Sequence, residues 1–518
     1  MIEHLRRRYV DARPMIRHIV KDAIRPMPRV LIDTATGRLY DKQQQAKAFE
    51  MHPIYTELVS SMTTKLDEAR IRGAVKEFYR YVMLSHRWED GEPLLQQVEN
   101  ISIYNLEPSL ANIKLQKFCL LVRYLGFRWA WSDNSCVDKS NNVVLQESLI
   151  AMFAWYRGSS ITIVYLCGLS SESQLPGGLR ESIWNTRAWT YQEYVAAEIV
   201  LFYTEDWEPY LGLTLSNHKQ SRVVVSEMED ATRVSAQEMA VLRPGLDRVR
   251  EKLYLASRRE TTLVEDAAYS LFGIFNVAIP IMYGEGNRAV GRFLEHVLTG
   301  SGDVTVLAWT GASGDYNSCL PRDLTVYDPL VPPHIPPSIE KAEVDSIITE
   351  LRSSLPDLST AMTLYRQLNE LPSPSLAASR LKLPGITSSI TELVQTSESY
   401  SETGVWWHTY RATTSMFGDI EIRTREDLTS MENLCVVHPW IRPLLDQEHL
   451  RGAASLDKTT RALRLVARLR QPFGALVFMP LSRVEYRRVA ADSLIMTQIS
   501  EEVPLDSLMD AICTIEIQ

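Results

Sequence analysis

The stretch YVMLSHRWEDGE, residues 81–92, begins as a short apolar run and ends in polar and aromatic side chains. An apolar run of this length reads as a buried strand, and the loop behind such a strand is a place where functional groups reach a cleft. Working outward, SLANIKLQKFCLLVRYL (109–125) carries helical spacing and FRWAWSD (127–133) is a second strand. A helix over LQESLIAMFAWYRG (145–158), the β-branched strand ITIVYL (161–166), a helix over RAWTYQEYVAAE (187–198) and the strand IVLFYT (199–204) continue the alternation. Alternation of this kind predicts an α/β fold: a mainly parallel sheet flanked by helices, with functional loops at the strand C-termini.

Three places in this series carry candidate chemistry. At the end of the first strand, Ser85 can donate to a ligand oxygen, Arg87 can hold a phosphate or carboxylate through its donor fork, and Trp88 can stack on a flat ring. The bland alternative stays open: Ser85 caps a turn, Arg87 pairs with an acid and Trp88 is core. At the second strand, Asp133 can accept from a sugar hydroxyl or cap a turn. Cys136, with neither a CxxC partner nor an activating base nearby, reads as a buried thiol. In the third place, Trp189 and Glu193 are four residues apart on a predicted helix, with Arg187 just before it. A carboxylate beside an aromatic surface can hold a planar leaving group and stabilise an oxocarbenium-like centre; it can equally be a packing unit in which Glu193 accepts from Arg187.

The rest of the chain divides by texture. Residues 1–77 form a lead-in with a basic amphipathic helix, suited to docking or surface contact, and a hairpin in RVLIDTATGRLYD (29–41). The α/β region spans 78–210, a helical extension 211–327, a Pro-rich linker 328–340, and a mixed, mainly β domain 341–518. EDAAY (265–269) and GEG (284–286) read as capping and turn features, since GEG is neither a dinucleotide fingerprint nor a P-loop. The 518 residues include 55 Lys+Arg against 64 Asp+Glu, a net charge of -9, which gives no bulk electrostatic case for nucleic acid. Six scattered cysteines without a CxxC pair fit a reducing compartment, and no apolar run approaches a membrane span, so a cytoplasmic location is expected.

YVMLSHRW, RWAWSDNSCVDKS with LQESLIAMFAWYRGSS and VYL, and TRAWTYQEYVAAEIVLFYTEDW occur in the order typical of fungal heterokaryon-incompatibility (HET) domains, which this chain resembles over about residues 78–210. EDAAYSLFGIFNVAIPIMYGEG and DVTVLAW are similar to segments that follow such domains. SNNVVLQESLIAM departs from the usual acidic lead into its helix and displaces Glu147. The resemblance implies a role in nonself recognition or programmed cell-death signalling, with a second copy or a fungal signalling partner as binding partner. HET domains in turn resemble TIR domains, some of which cleave NAD. That likeness implies a TIR-like sheet, NAD as a substrate rather than a cofactor, and Glu193 as catalytic carboxylate. Ser85, Arg87, Trp88, Asp133, Arg187 and Trp189 would shape the NAD pocket. The alternative it leaves open is a nonenzymatic assembly module.

Overall fold

The computed structural model describes residues 11–62, 65–171, 176–328, 348–349, 352, 358–400, 404–440, 457–482 and 485–518. Of the Pro-rich linker, residues 329–340 lie outside the described residues. The chain forms two compact units. The first runs to Pro244 and takes in Arg259–Thr261 and Tyr269–Ile274; the second comprises Gly245–Arg258, Thr262–Ala268 and Phe275–Gln518. The division falls inside the helical stretch 211–327, where two short segments beyond Pro244, Arg259–Thr261 and Tyr269–Ile274, pack into the first body.

The first unit is built on a six-stranded sheet of order β2-β1-β4-β3-β5-β6. Its strands are β1 (Val30–Asp33), β2 (Arg38–Asp41), β3 (Tyr81–His86), β4 (Trp129–Trp131), β5 (Ile161–Leu166) and β6 (Val200–Thr204). β4, β3, β5 and β6 are mutually parallel, with Val82 opposite Ala130 and Ile161, and Thr162 opposite Val200. Every residue of β3, β4 and β6 is buried, as expected of strands covered on both faces. The principal helices are α1 (Arg13–Ile24), α2 (Glu68–Phe78), α3 (Leu110–Tyr124), α4 (Asn142–Gly158), α5 (Ala188–Ala196) and α6 (Arg222–Thr232). α1 buries Ile16, Ile19, Val20 and Ile24 and packs against α2.

Two edges of this sheet differ from the expected plain α/β unit. The hairpin of the lead-in is part of the sheet: β1 pairs antiparallel with β4, Ile32 opposite Ala130. Asp33, fully buried, is held there by the Arg128 guanidinium at 2.6 Å and 2.9 Å. On the far side, the outward N–H groups of β6 are closed by side chains. Asn217 Oδ1 accepts from Val200 N at 3.1 Å and His218 Nδ1 accepts from Phe202 N at 3.0 Å.

The second unit holds a nine-stranded, mostly antiparallel sheet, which gives the C-terminal region its β-rich character. Its longest strand, β8 (Arg380–Tyr400), follows β7 (Ser375–Ala377) and precedes β9 (Trp406–Thr414), β10 (Asp419–Thr424) and β11 (Cys435–Pro439). β12 (Phe473–Pro480), β13 (Glu485–Arg488), β14 (Ile495–Thr497) and β15 (Ile512–Ile517) complete it. α7 (Leu358–Glu370) and α8 (Lys458–Leu469) bury apolar faces in the same core. Glu265 accepts from Gly284 N at 2.8 Å and Gly286 N at 3.0 Å, so the acid of EDAAY ties down the GEG turn.

Candidate functional site

Parallel strands aim their C-terminal ends at one side of a sheet, and the polar residues at the ends of β3 and β4 meet α5 there. Ser85 and His86 lie within β3, because pairing with β5 continues through Ser85 opposite Val164 and His86 opposite Tyr165. Ser85, fully buried, donates to the carboxyl of Glu193 and accepts from Trp184 Nε1 at 2.8 Å. Tyr156, from α4, acts electrostatically on Glu193 and donates to Leu84 O at 2.9 Å. Glu193 is 8% exposed, and burial pushes its carboxyl up to about 8; Asp133 adds to the rise, while Ser85, Arg187 and Tyr156 act against it. A neutral carboxyl fits this arrangement. Its oxygen accepts from Ser85, while the Tyr156 hydroxyl gives its proton to Leu84 O.

Beside this group lies a charged one. His86 Nε2 is 2.9 Å from Glu92 and 4.0 Å from Asp133. Lys114, buried on α3, reaches Glu92 at 2.7 Å, Glu89 at 2.8 Å and Arg87 O at 3.1 Å. Asn134 also donates to Glu92. Burial alone would raise the Glu92 carboxyl, but His86 and Lys114 together hold it down at about 2. At the rim, Trp88 is 47% exposed, its Nε1 donates to Asp133, and the Lys139 ammonium sits 3.4 Å from the centre of its ring. Asp133 is therefore shared: it holds Trp88 by a hydrogen bond and acts electrostatically on Glu193.

The N-terminus of α5 is fixed by a return of the chain. The backbone of Arg187 forms a parallel β-bridge with Glu260, in which Ala188 N donates to Glu260 O at 3.0 Å, and Arg259 Nη1 donates to Arg187 O at 3.1 Å. The Arg259 guanidinium also lies 4.9 Å from the Tyr191 ring centre.

Ser85, Asp133, Glu193 and Trp88 are thus brought to one end of the sheet, and Arg187 lies near enough to act on Glu193. Two expected roles fall elsewhere. Arg87 is exposed and supplies its carbonyl to Lys114. The tryptophan bonded to Ser85 is Trp184, from the short turn before α5, whereas Trp189 is half-buried. Cys136 is buried, and its thiol is pushed up to about 12 by that burial. Glu147 sits exposed, 3.8 Å from Arg29. Sequence reasoning missed Glu92, Lys114, Tyr156, Trp184 and Lys139. The acid run EDGE after β3 was a visible signal for Glu92; nothing in the local pattern marked Tyr156 or Trp184. Among the described residues no cluster of three or more His, Cys, Asp or Glu is arranged to hold a metal ion. No helix among them is long and apolar enough to cross a membrane.

Comparison with known proteins places a family match on the same ground. Residues 81–180 match the profile of the family described as Heterokaryon incompatibility protein (HET). The chain is 32% identical over 263 residues to vegetative incompatibility protein HET-E-1 of Podospora anserina. That alignment covers 48% of this chain and 17% of the relative, so the chain spans less than a fifth of that protein's length. No solved structure matches. Ser85, Trp88, Asp133 and Lys139 fall inside the matched residues and Glu193 beyond them. The region that builds the site resembles the fungal HET family.

Proposed function

We propose that this protein acts in fungal nonself recognition or cell-death signalling, and that its HET-like region does so by NAD glycohydrolysis with Glu193 as the catalytic carboxylate. The observation that supports it is the placement of Glu193: a buried acid at the C-terminal end of parallel strands, bonded to Ser85 and under the field of Asp133. The ring bound to ribose in NAD is a pyridinium cation. Its approach favours the ionised form of Glu193, so substrate binding near pH 7 expels a proton and creates the carboxylate that catalysis needs. The carboxylate then stabilises positive charge at the ribose C1′ as the C–N bond breaks. The bond electrons go to the ring nitrogen, which leaves as neutral nicotinamide. Water adds to C1′ and loses a proton, giving ADP-ribose.

The test is a time course of nicotinamide and ADP-ribose formation by the full chain, alone and under assembling conditions, beside Glu193→Gln. Turnover by the wild type and its loss in the variant are expected. No turnover by the wild type, or equal turnover by both, would sink the enzymatic reading and leave the rival one, signalling by self-association or by recruitment of a fungal partner. For that rival, strand addition at β6 is disfavoured, because Asn217 and His218 already occupy its outward N–H groups.

A further inference from the structure

Lys139 makes an unusual choice of partners. It belongs to the turn just before α4, and its ammonium is held by the amide oxygen of Asn134 and by the face of Trp88, 3.4 Å from the ring centre. Burial lowers the pKa of the Lys139 ammonium, and Asp133 and Glu92 act electrostatically against that. Both carboxylates are committed to other donors, Asp133 to Trp88 Nε1 and Glu92 to His86, Lys114 and Asn134. A neutral dipole, an aromatic face and two acids at a distance make a place for a cation that fixes no single partner and, being partly desolvated, suits a weakly hydrated charge better than an ammonium. Trp88 is half exposed, and Lys139 can rotate away from a turn without breaking an element.

We propose that the Trp88 face beneath Lys139 is a binding place for a planar cationic ring of the pyridinium class, and that Lys139 is its resident occupant, displaced when the ligand binds. The choice of ring rests on the NAD reading above; the cation place itself rests on the contacts of Lys139. A flat aromatic cation gains more from this site than an ammonium, because it adds ring stacking to the cation–aromatic attraction and loses less hydration. Lys139 then sets a threshold, since a ligand must compete with a tethered cation before it can enter. Asp133 lies between the two parts of the site: it attracts the cation at Trp88 and acts electrostatically on Glu193.

The test is equilibrium binding by calorimetry at low salt, with the full chain and two probes: 1-methylnicotinamide, which carries the cationic ring, and nicotinamide, which is neutral. Lys139→Met is expected to bind 1-methylnicotinamide about tenfold tighter than wild type, the factor a largely desolvated cation–aromatic contact carries. Lys139→Arg, which keeps a cation over the ring, stays as weak as wild type. Nicotinamide affinity changes little, and Trp88→Ala in the Lys139→Met background removes the gain. Equal binding by wild type and Lys139→Met, a gain that persists without Trp88, an equal gain for the neutral probe, or no binding by any variant overturns the proposal. Circular dichroism checks the fold, and Lys139→Gln replaces Lys139→Met if the latter fails to fold. Because the readout is binding, absence of NAD turnover would leave this result standing, and loss of turnover in Glu193→Gln would not predict it.

Discussion

Replacing Glu193 by Gln should change the pH dependence of stability in a way that turnover assays cannot see. The carboxyl is raised from 4.5 to about 8 in the folded chain, so between these values the folded state holds a proton that the unfolded state has lost. With more protons bound when folded, stability falls as pH rises across that window. At 1.36 kcal/mol for each pH unit, the cost of the buried acid is about 3 kcal/mol at pH 7 and levels near 5 kcal/mol above pH 8, both upper bounds because a real site relaxes. Gln keeps the shape and carries no such cost. Its oxygen can accept from Ser85, copying the neutral acid. Near pH 5 the two proteins should therefore be alike within about 1 kcal/mol, and by pH 9 the variant should be the more stable by several. With two compact units the chain is not expected to unfold in one step, so the readout is amide-exchange protection of α5 and β6, with intrinsic rates corrected for pH. A difference between the two proteins that stays flat from pH 5 to 9 would refute the protonated-acid picture and the proton release proposed for substrate binding.

Three further outcomes follow from described contacts. Lys114→Met leaves the buried Glu92 without its ammonium and should destabilise by about 3 kcal/mol, part of which Glu92→Gln in the same chain should restore in a double-mutant cycle read by amide-exchange protection of α3 and β3. His218 accepts from β6 and is held down at about 4 by burial, so its contribution is complete above pH 6.5 and is lost as pH falls through 4; exchange protection of β6 should drop by about 3 kcal/mol over that range. A Cβ at Gly273 would lie 2.1 Å from Phe153 Cβ, so Gly273→Ala should cost at least about 2 kcal/mol and lower soluble yield, whereas Gly73→Ala, with open space, should not.

How much of this was written in the local pattern depends on what each residue answers to. The strands from 81 to 204 were legible because continuous burial demands continuous apolar sequence, and YVMLS and ITIVYL obey it. The membership of β1 and β2 in the same sheet was not, since a hairpin reads alike whether it stands alone or pairs through Asp33 and Arg128. In the site, Ser85, Asp133 and Glu193 could be picked out because a polar residue at a strand end, or on a helix that must pack, needs a reason. Trp184 and Tyr156 could not. They come from α4 and the turn before α5, and only the packing of those elements on β3 brings them to Ser85 and Glu193. Trp189 was favoured for its helical spacing from Glu193, yet spacing along one helix says nothing about which aromatic a second element delivers.

The pairing of β1 with β4 bears on how such a region is inherited. A segment cut at residues 81 and 180 would carry the central strands but leave behind β1, which borders β4, β6, which borders β5, and α5, which bears Glu193. It would expose two raw sheet edges and strand Arg128 without Asp33. Recombination breakpoints that preserve a folding chain should therefore lie before α1 and beyond Ile274, the last residue of the first unit, and the stretch between them should move among genes as one block.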